Sequence, residues 1–410
     1  MLLSTCVAGP RAVDTLVGPV GPGPADALTR APEAQVPTRS VPGAARRVTW
    51  TVRSHLVDPR DVSGTMEAGS GPVQVNIQLP RHYREHPSRV YPLLVLLHGA
   101  GGSSDTWMEK GRLGSAKSLD GVIVVSLEGG TFGMYTDWVA GGEAQWKTLH
   151  DEILARVMRE LRVAPGRRNR AIAGVSMGGQ GALRYASARP DIFGSVAAIS
   201  PGLPNMRDPQ IYATYPIQIG MQAGEPVSYE DTWGPVNGAN AVGRNPQDLT
   251  ANLQHSRVFI SSGDGVLCPY ESAEMDSPVK SATEVTIAEQ VPAYAAAARS
   301  SGASVVVSQH CGVHGDWDVW RRDFTKVLDV WDPFRQVPFG PRAWTYITPD
   351  PEGRVWGVRY DARQEKATLL TFRRRGPVLE IRGHGEYRLA TRRCRLVVTA
   401  PVRRDLTGCW

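Results

Sequence analysis

Long apolar runs are missing from this chain of 410 residues. None approaches the roughly 18–20 residues that a membrane-spanning helix requires, so no transmembrane segment is expected. Cysteine is sparse, five residues in all, and no two stand as Cys-x-x-Cys. That spacing removes the zinc-ribbon and thioredoxin-like readings. Charge of one sign is not gathered either: 46 Lys and Arg against 40 Asp and Glu give a net +6, scattered apart from short clusters at 373–375 and 403–404. Nucleic-acid proteins concentrate basic residues on one face, often among aromatics, so no nucleic-acid partner is expected. The scatter reads as a solvated basic surface, with attraction to an anionic cell envelope as the alternative. What remains is a hydrophobic content of 41%, enough for a packed core, in a chain long enough for two folded units.

The five cysteines still carry information. Pairing Cys268 with Cys311 and Cys394 with Cys409 leaves Cys6 alone near the start. Such pairing suits an oxidising compartment. The opening MLLSTCVAGP has no basic residue and too short an apolar core for a whole signal peptide, so it reads as the tail of one. Residues 1–45, rich in Pro, Gly and Ala from about residue 8, read as a disordered leader or signal remnant.

Order is expected from Arg47–Val52 onward, and 73–79 (VQVNIQL) alternates like a half-buried strand. Apolar runs then recur at 93–97, 122–127, 171–175, 196–199, 258–260 and 305–307, continuous rather than alternating. Continuous apolarity belongs to parallel strands covered on both faces. Helical patterns fall between them at 146–161, 178–188 and 292–300, the last with Pro292 in its first turn, and a final amphipathic helix fits 316–330. The expected fold class is therefore α/β, a doubly wound, mostly parallel sheet over residues 46–337, which the serine motif at 174–179 makes an α/β-hydrolase. Residues 203–255 interrupt the rhythm and read as an insertion over the sheet's carboxyl edge, a lid or substrate wall. Beyond residue 338 the pattern turns to short strands at 345–348, 355–360, 367–372, 378–382 and 394–398, with Pro351-Glu352-Gly353 as a turn. Residues 338–410 are thus expected to form a small all-β appendage.

The sharpest chemical signal is Gly174-Val175-Ser176-Met177-Gly178-Gly179, set between an apolar strand and a small-residue helix. That context makes G-x-S-x-G a nucleophile elbow, with Ser176 exposed at a helix N-terminus that favours developing negative charge. A serine needs a base, and of nine histidines only His310 and His314 follow the last parallel strand directly. His314 is the expected base. For the acid that orients it, Asp264 in Ser-Gly-Asp-Gly and Glu284 further on stand about even on position alone. The backbone N–H of Met177 is the first expected oxyanion donor, and the loop His98-Gly99-Ala100-Gly101-Gly102 supplies the second. Since no Gly-Lys-Ser/Thr follows that loop, a phosphate cradle is not expected, and neither a metal nor an organic cofactor is implied.

Residues 73–330 resemble the secreted mycolyltransferases of the antigen 85 type and the wider esterase D group. The likeness runs through 91–99, Gly129-Gly130, Tyr135-Thr136-Asp137-Trp138, Trp146, the elbow, and His314 with Trp317 and Trp320. It implies Glu284 as the acid, at the family's distance before the histidine, and Ala100 as the second oxyanion amide. It also implies an acyl-ester lipid donor, a sugar or water acceptor, and a site outside the cell, secreted or in the cell envelope. Three departures stand against a trehalose specificity: His98-Gly99-Ala100-Gly101 replaces Asp-Gly-Leu-Arg, Gly315 or Asp316 is an insertion, and no cysteine follows the Tyr-Thr-Asp-Trp segment. The expected protein is a serine acyltransferase or esterase, with a plain carboxylesterase or a non-catalytic envelope-binding relative as alternatives.

Overall fold

The computed structural model describes residues 46–57, 73–140, 144–223, 228–335, 337–338, 340–362 and 368–410. The expected leader and Cys6 lie outside these residues. Eight strands build the first sheet: β1 (Arg47–Val52), β2 (Val73–Gln78), β3 (Leu93–Leu97), β4 (Ile123–Leu127), β5 (Arg170–Val175), β6 (Ser195–Ile199), β7 (Arg257–Ser262) and β8 (Ser304–Gln309). Their spatial order is β1-β2-β4-β3-β5-β6-β7-β8. β1 and β2 pair antiparallel and β2 meets β4 antiparallel, while every pair from β4 to β8 is parallel.

Why the central strands read as unbroken apolar runs is visible in the packing. Val95, Ile172, Val196 and Ile260 enter one core, with Leu149, Leu183 and Val291 from helices on that face. Their chain neighbours Leu94, Leu96, Ala173 and Phe259 enter a second core on the opposite face, with Trp107, Trp320 and Phe324. Successive residues of a strand point to opposite faces, so a strand covered twice must be apolar at every position.

Several expectations are corrected. β2 is buried on both faces rather than half-buried: Asn76 and Gln78 sit inside because their amides find partners in Ser104, Asp105 and the Leu113 carbonyl. β8 is an edge strand of the sheet and largely alternates between exposed and half-buried, because Val305 and Val307 pack against the core while Val306 on the other face stays exposed. Pro292 does not start a helix. The helix runs Pro278–Ser300, with Pro278 at its first turn and Pro292 inside it. A proline suits the first turn, where its missing N–H costs no bond.

The second sheet is antiparallel: β9 (Ala343–Thr348), β10 (Glu352–Val355), β11 (Val358–Ala362), β12 (Leu370–Arg375), β13 (Val378–Ala390) and β14 (Arg395–Asp405). The strand expected at 355–360 is instead a hairpin, β10 to β11, turning at Trp356-Gly357. Both turn residues have positive φ, 49° and 83°, the geometry of the tight hairpin turn. Glu352 and Gly353 therefore lie in strand rather than turn. A buried cluster including Trp344, Tyr360, Phe372, Ile381 and Tyr387 fills this sheet's inner face. It meets the first unit through Asn252, whose amide group bonds both the N–H and the C=O of Ile347 at 2.7 and 2.8 Å.

Both disulfides expected from the sequence are present, Cys268–Cys311 and Cys394–Cys409. Among the described residues no helix is long and apolar enough to cross a membrane.

Candidate active site

The turn from β5 into the helix Met177–Ala188 holds Ser176 at φ 52°, ψ −121°, a left-handed conformation that side chains rarely adopt. Two glycines make the turn possible. A Cβ on Gly174 would lie 2.1 Å from the Gly178 carbonyl oxygen, and one on Gly178 would lie 2.3 Å from that of Leu97. The turn is tied down by the Ser176 N–H, which donates to the Ile199 carbonyl at 2.9 Å. The helix ladder opens with the Gln180 N–H donating to the Ser176 C=O at 3.1 Å, so the Met177 N–H precedes the ladder and has no carbonyl within it.

Ser176 Oγ lies 2.9 Å from His314 Nε2, and His314 Nδ1 lies 2.7 Å from Glu284 Oε2. A carboxylate can only accept, so Nδ1 carries the proton and leaves Nε2 free to take one from the serine. Glu284, 1% exposed, is fixed at its other oxygen by the Ser200 hydroxyl at 2.8 Å and the Gly263 N–H at 2.6 Å. Ser200 in turn accepts from the Trp320 indole at 3.1 Å, and the Trp320 ring stands edge-on to His314 at 5.5 Å. Glu284 stands on the long helix Pro278–Ser300 rather than in a loop before a helix.

The rival acid is elsewhere. Asp264 is exposed and its carboxylate accepts the Val266 N–H at 2.9 Å, a local turn bond. The structure brings Glu284, not Asp264, to the histidine. His310 pairs with buried Asp323 at 2.8 Å and is likewise apart from Ser176. Its pKa is raised, chiefly by the hydrogen bond to Asp323, against the opposing effect of burial.

The loop carrying Ala100 passes beside the nucleophile: a Cβ on Gly99 would lie 3.2 Å from that of Ser176. Residues the sequence reading did not assign hold this loop. Fully buried His98 donates from Nδ1 to the Gly99 carbonyl at 2.8 Å, and its Nε2 lies 2.9 Å from the Gly129 N. Buried Glu128 accepts the Ser104 and Gly130 N–H groups at 3.0 and 3.1 Å. Burial alone would raise its pKa, but the His98 ring and these backbone donors hold it below the ordinary value. Tyr135, from the Tyr-Thr-Asp-Trp segment, donates to the His98 carbonyl at 3.0 Å. Asp137 accepts the Thr148 N–H at 2.9 Å in the first turn of the helix Trp146–Glu160. The segment thus supports the loop from behind. A Glu closing an apolar strand just before Gly-Gly was the available signal for Glu128; Ser200 had none beyond its place after β6.

A doubly wound sheet with a strained serine elbow, a histidine and a buried carboxylate in one chain of contacts defines a serine hydrolase architecture of the α/β-hydrolase fold. Residues 67–329 match the Esterase family, and the chain belongs to it. Among relatives, Esterase Rv1288 of Mycobacterium tuberculosis is 30% identical over 197 residues, 46% of this chain and 42% of that protein. The MPT51/MPB51 antigen of Mycobacterium bovis is 33% identical over 115 residues, 28% of this chain and 37% of the antigen. The chain thus spans less than half the length of these curated relatives. The crystal structure of Mycobacterium tuberculosis MPT51 (FbpC1) aligns with TM-score 0.55 at 20% identity, covering 71% of this chain and all of that one, a likeness of fold.

Proposed function

We propose that this protein is a secreted serine esterase that forms an acyl-enzyme on Ser176 and passes the acyl group to water or to a sugar hydroxyl. The observation that carries the reading is the unbroken contact from Ser176 through His314 to Glu284 at a strained elbow. In the first half, His314 Nε2 takes the Ser176 proton as Oγ attacks the ester carbonyl carbon. The tetrahedral oxyanion is received by the N–H groups of Met177 and Ala100. Such donors contribute about 3–4 kcal/mol each to lowering a barrier. Collapse breaks the ester C–O bond, and His314 returns the proton to the leaving alcohol. In the second half, His314 takes the acceptor's proton as its oxygen attacks the acyl carbon; collapse breaks the bond from that carbon to Ser176 Oγ, and His314 returns the proton to the serine. Glu284 holds the imidazole in the required tautomer throughout.

Water and a sugar alcohol differ only in that second half. Residues 46–337 carry the chemistry in this reading, and 338–410 form a separate β-rich unit. Two disulfides support an oxidising location outside the cell. The test is p-nitrophenyl ester turnover by the wild type and by Ser176→Ala, with and without a panel of mono- and disaccharide acceptors. Ser176→Ala is expected to lose about 10³-fold or more in kcat while keeping its fold. Acyl-sugar formed in competition with free acid assigns the transferase branch, and free acid alone assigns hydrolysis.

A further inference from the structure

The chain's positive excess belongs to its second unit. Residues 338–410 contain 15 Lys and Arg against 7 Asp and Glu, a net +8; the whole chain carries +6, so residues 1–337 stand at −2. Part of that excess lies on one face of the second sheet, where Glu380, Glu386 and Asp405 stand among the arginines. Leu370 and Phe372 of β12, Leu379 and Ile381 of β13, and Val398 and Ala400 of β14 fill its core. Strand alternation therefore puts Arg373, Arg375, Arg382, Arg388, Arg395 and Arg403 on the opposite, outer face.

The register packs these cations together. Arg373 and Arg403 flank Glu380 from the two neighbouring strands. Arg354 stands directly opposite Arg359 in the β10–β11 hairpin. Like charges placed directly opposite destabilise a sheet unless an anion lies between them. Glu380 is already engaged by Arg382 Nε at 2.6 Å. Its pKa is lowered, first by that bond and further by the charges of Arg373 and Arg403. Among the described residues Arg373, Arg375 and Arg403 have no hydrogen-bonded acceptor, and with Val378 and Glu380 they line a hollow of about 220 Å³. No aromatic residue is among the outward positions of β12, β13 and β14. The stacking platform of a single-stranded nucleic-acid site and the apolar face of a membrane-lying element are thus both missing here.

We propose that this outer face docks a linear acidic polysaccharide, whose repeated carboxylates pair with the guanidinium groups of Arg373, Arg375 and Arg403. Charge complementarity commits the face to a polyanion, and guanidinium forks match carboxylates in bidentate fashion. The choice of a polysaccharide rests on the secreted location proposed above. The surface would hold the esterase domain against a polymer, apart from the Ser176 chemistry.

The test uses the full chain on immobilised polygalacturonate over a range of salt, beside duplex DNA and phosphatidylglycerol vesicles as rival ligands. Retention at low salt that falls as salt rises is expected. The Arg373→Gln/Arg375→Gln/Arg403→Gln variant should bind about tenfold or more weakly, with turnover of a small soluble ester within about twofold of wild type. A second variant, Arg388→Gln/Arg395→Gln, at the other end of the face, should weaken binding as well and covers a failure of the first to fold. Undiminished binding by a folded variant, no retention of the wild type, or preference for DNA or vesicles overturns the proposal. Retention without ester turnover leaves docking intact and sinks the catalytic reading; turnover without retention does the reverse.

Discussion

Ser176 holds a conformation that costs on the order of 1–3 kcal/mol and persists because Gly174 and Gly178 permit the close backbone approach and the Ser176 N–H is tied to the Ile199 carbonyl. Local motifs of this kind are legible in sequence, since the glycines, the serine and the flanking strand and helix are contiguous. The acid was legible only through the family resemblance, which named Glu284; position alone left it even with Asp264, because Glu284 reaches the site from a helix and is recognised by what it touches. Its neighbours Ser200 and Gly263 come from two other strand ends and converge only on folding. A paired substitution tests the assignment. Glu284→Gln is expected to lower kcat by about 10³–10⁴, since the wrong imidazole tautomer is then favoured. Asp264→Asn keeps an oxygen for the Val266 N–H and should stay within about threefold of wild type. Steady-state kinetics on one soluble ester decides, and the opposite ranking would return the acid to the loop after β7.

At the scale of elements, the His314 loop is tied from both sides. The Cys268–Cys311 disulfide links the loops after β7 and β8, as neighbouring parallel strands that end at one edge would allow. Closing 43 residues contributes about 4 kcal/mol in the chain-entropy account. Glu271 accepts the Val313 N–H at 3.1 Å and the Cys268 N–H, so one carboxylate also joins the two loops. On the far side, His310 pairs with Asp323, which Lys326 also approaches at 3.3 Å. The raised His310 pKa couples protonation to folding. A group protonated more strongly when folded stabilises the fold fully below its unfolded value of about 6.5, and that contribution disappears as pH rises through the folded value. His310→Asn retains hydrogen bonding but cannot titrate. Urea unfolding at about pH 5.5 and pH 9 should therefore show a smaller loss of stability with rising pH in the variant than in the wild type. An equal loss would mean that the His310–Asp323 pair does not couple protonation to folding.

For the whole molecule, the parallel sheet and its order of strands and helices were legible because burial on both faces forces continuous apolar runs at regular spacing. The second sheet was legible as β but not in its pairing. Trp356-Gly357 has one residue unusual for a positive φ, and the length of β13 is hidden by Gly383, His384 and Gly385, where the register with β14 shifts. The charge asymmetry was invisible as a face for the same reason: alternate arginines look scattered until strands are paired. Acyl transfer through a Ser176 activated by His314 is testable by incubation with a fluorophosphonate, then intact mass and peptide mapping. One label per chain on Ser176, abolished in His314→Ala, is expected; an unlabelled folded chain, or a label mapped to another residue, would rule that serine out as the nucleophile.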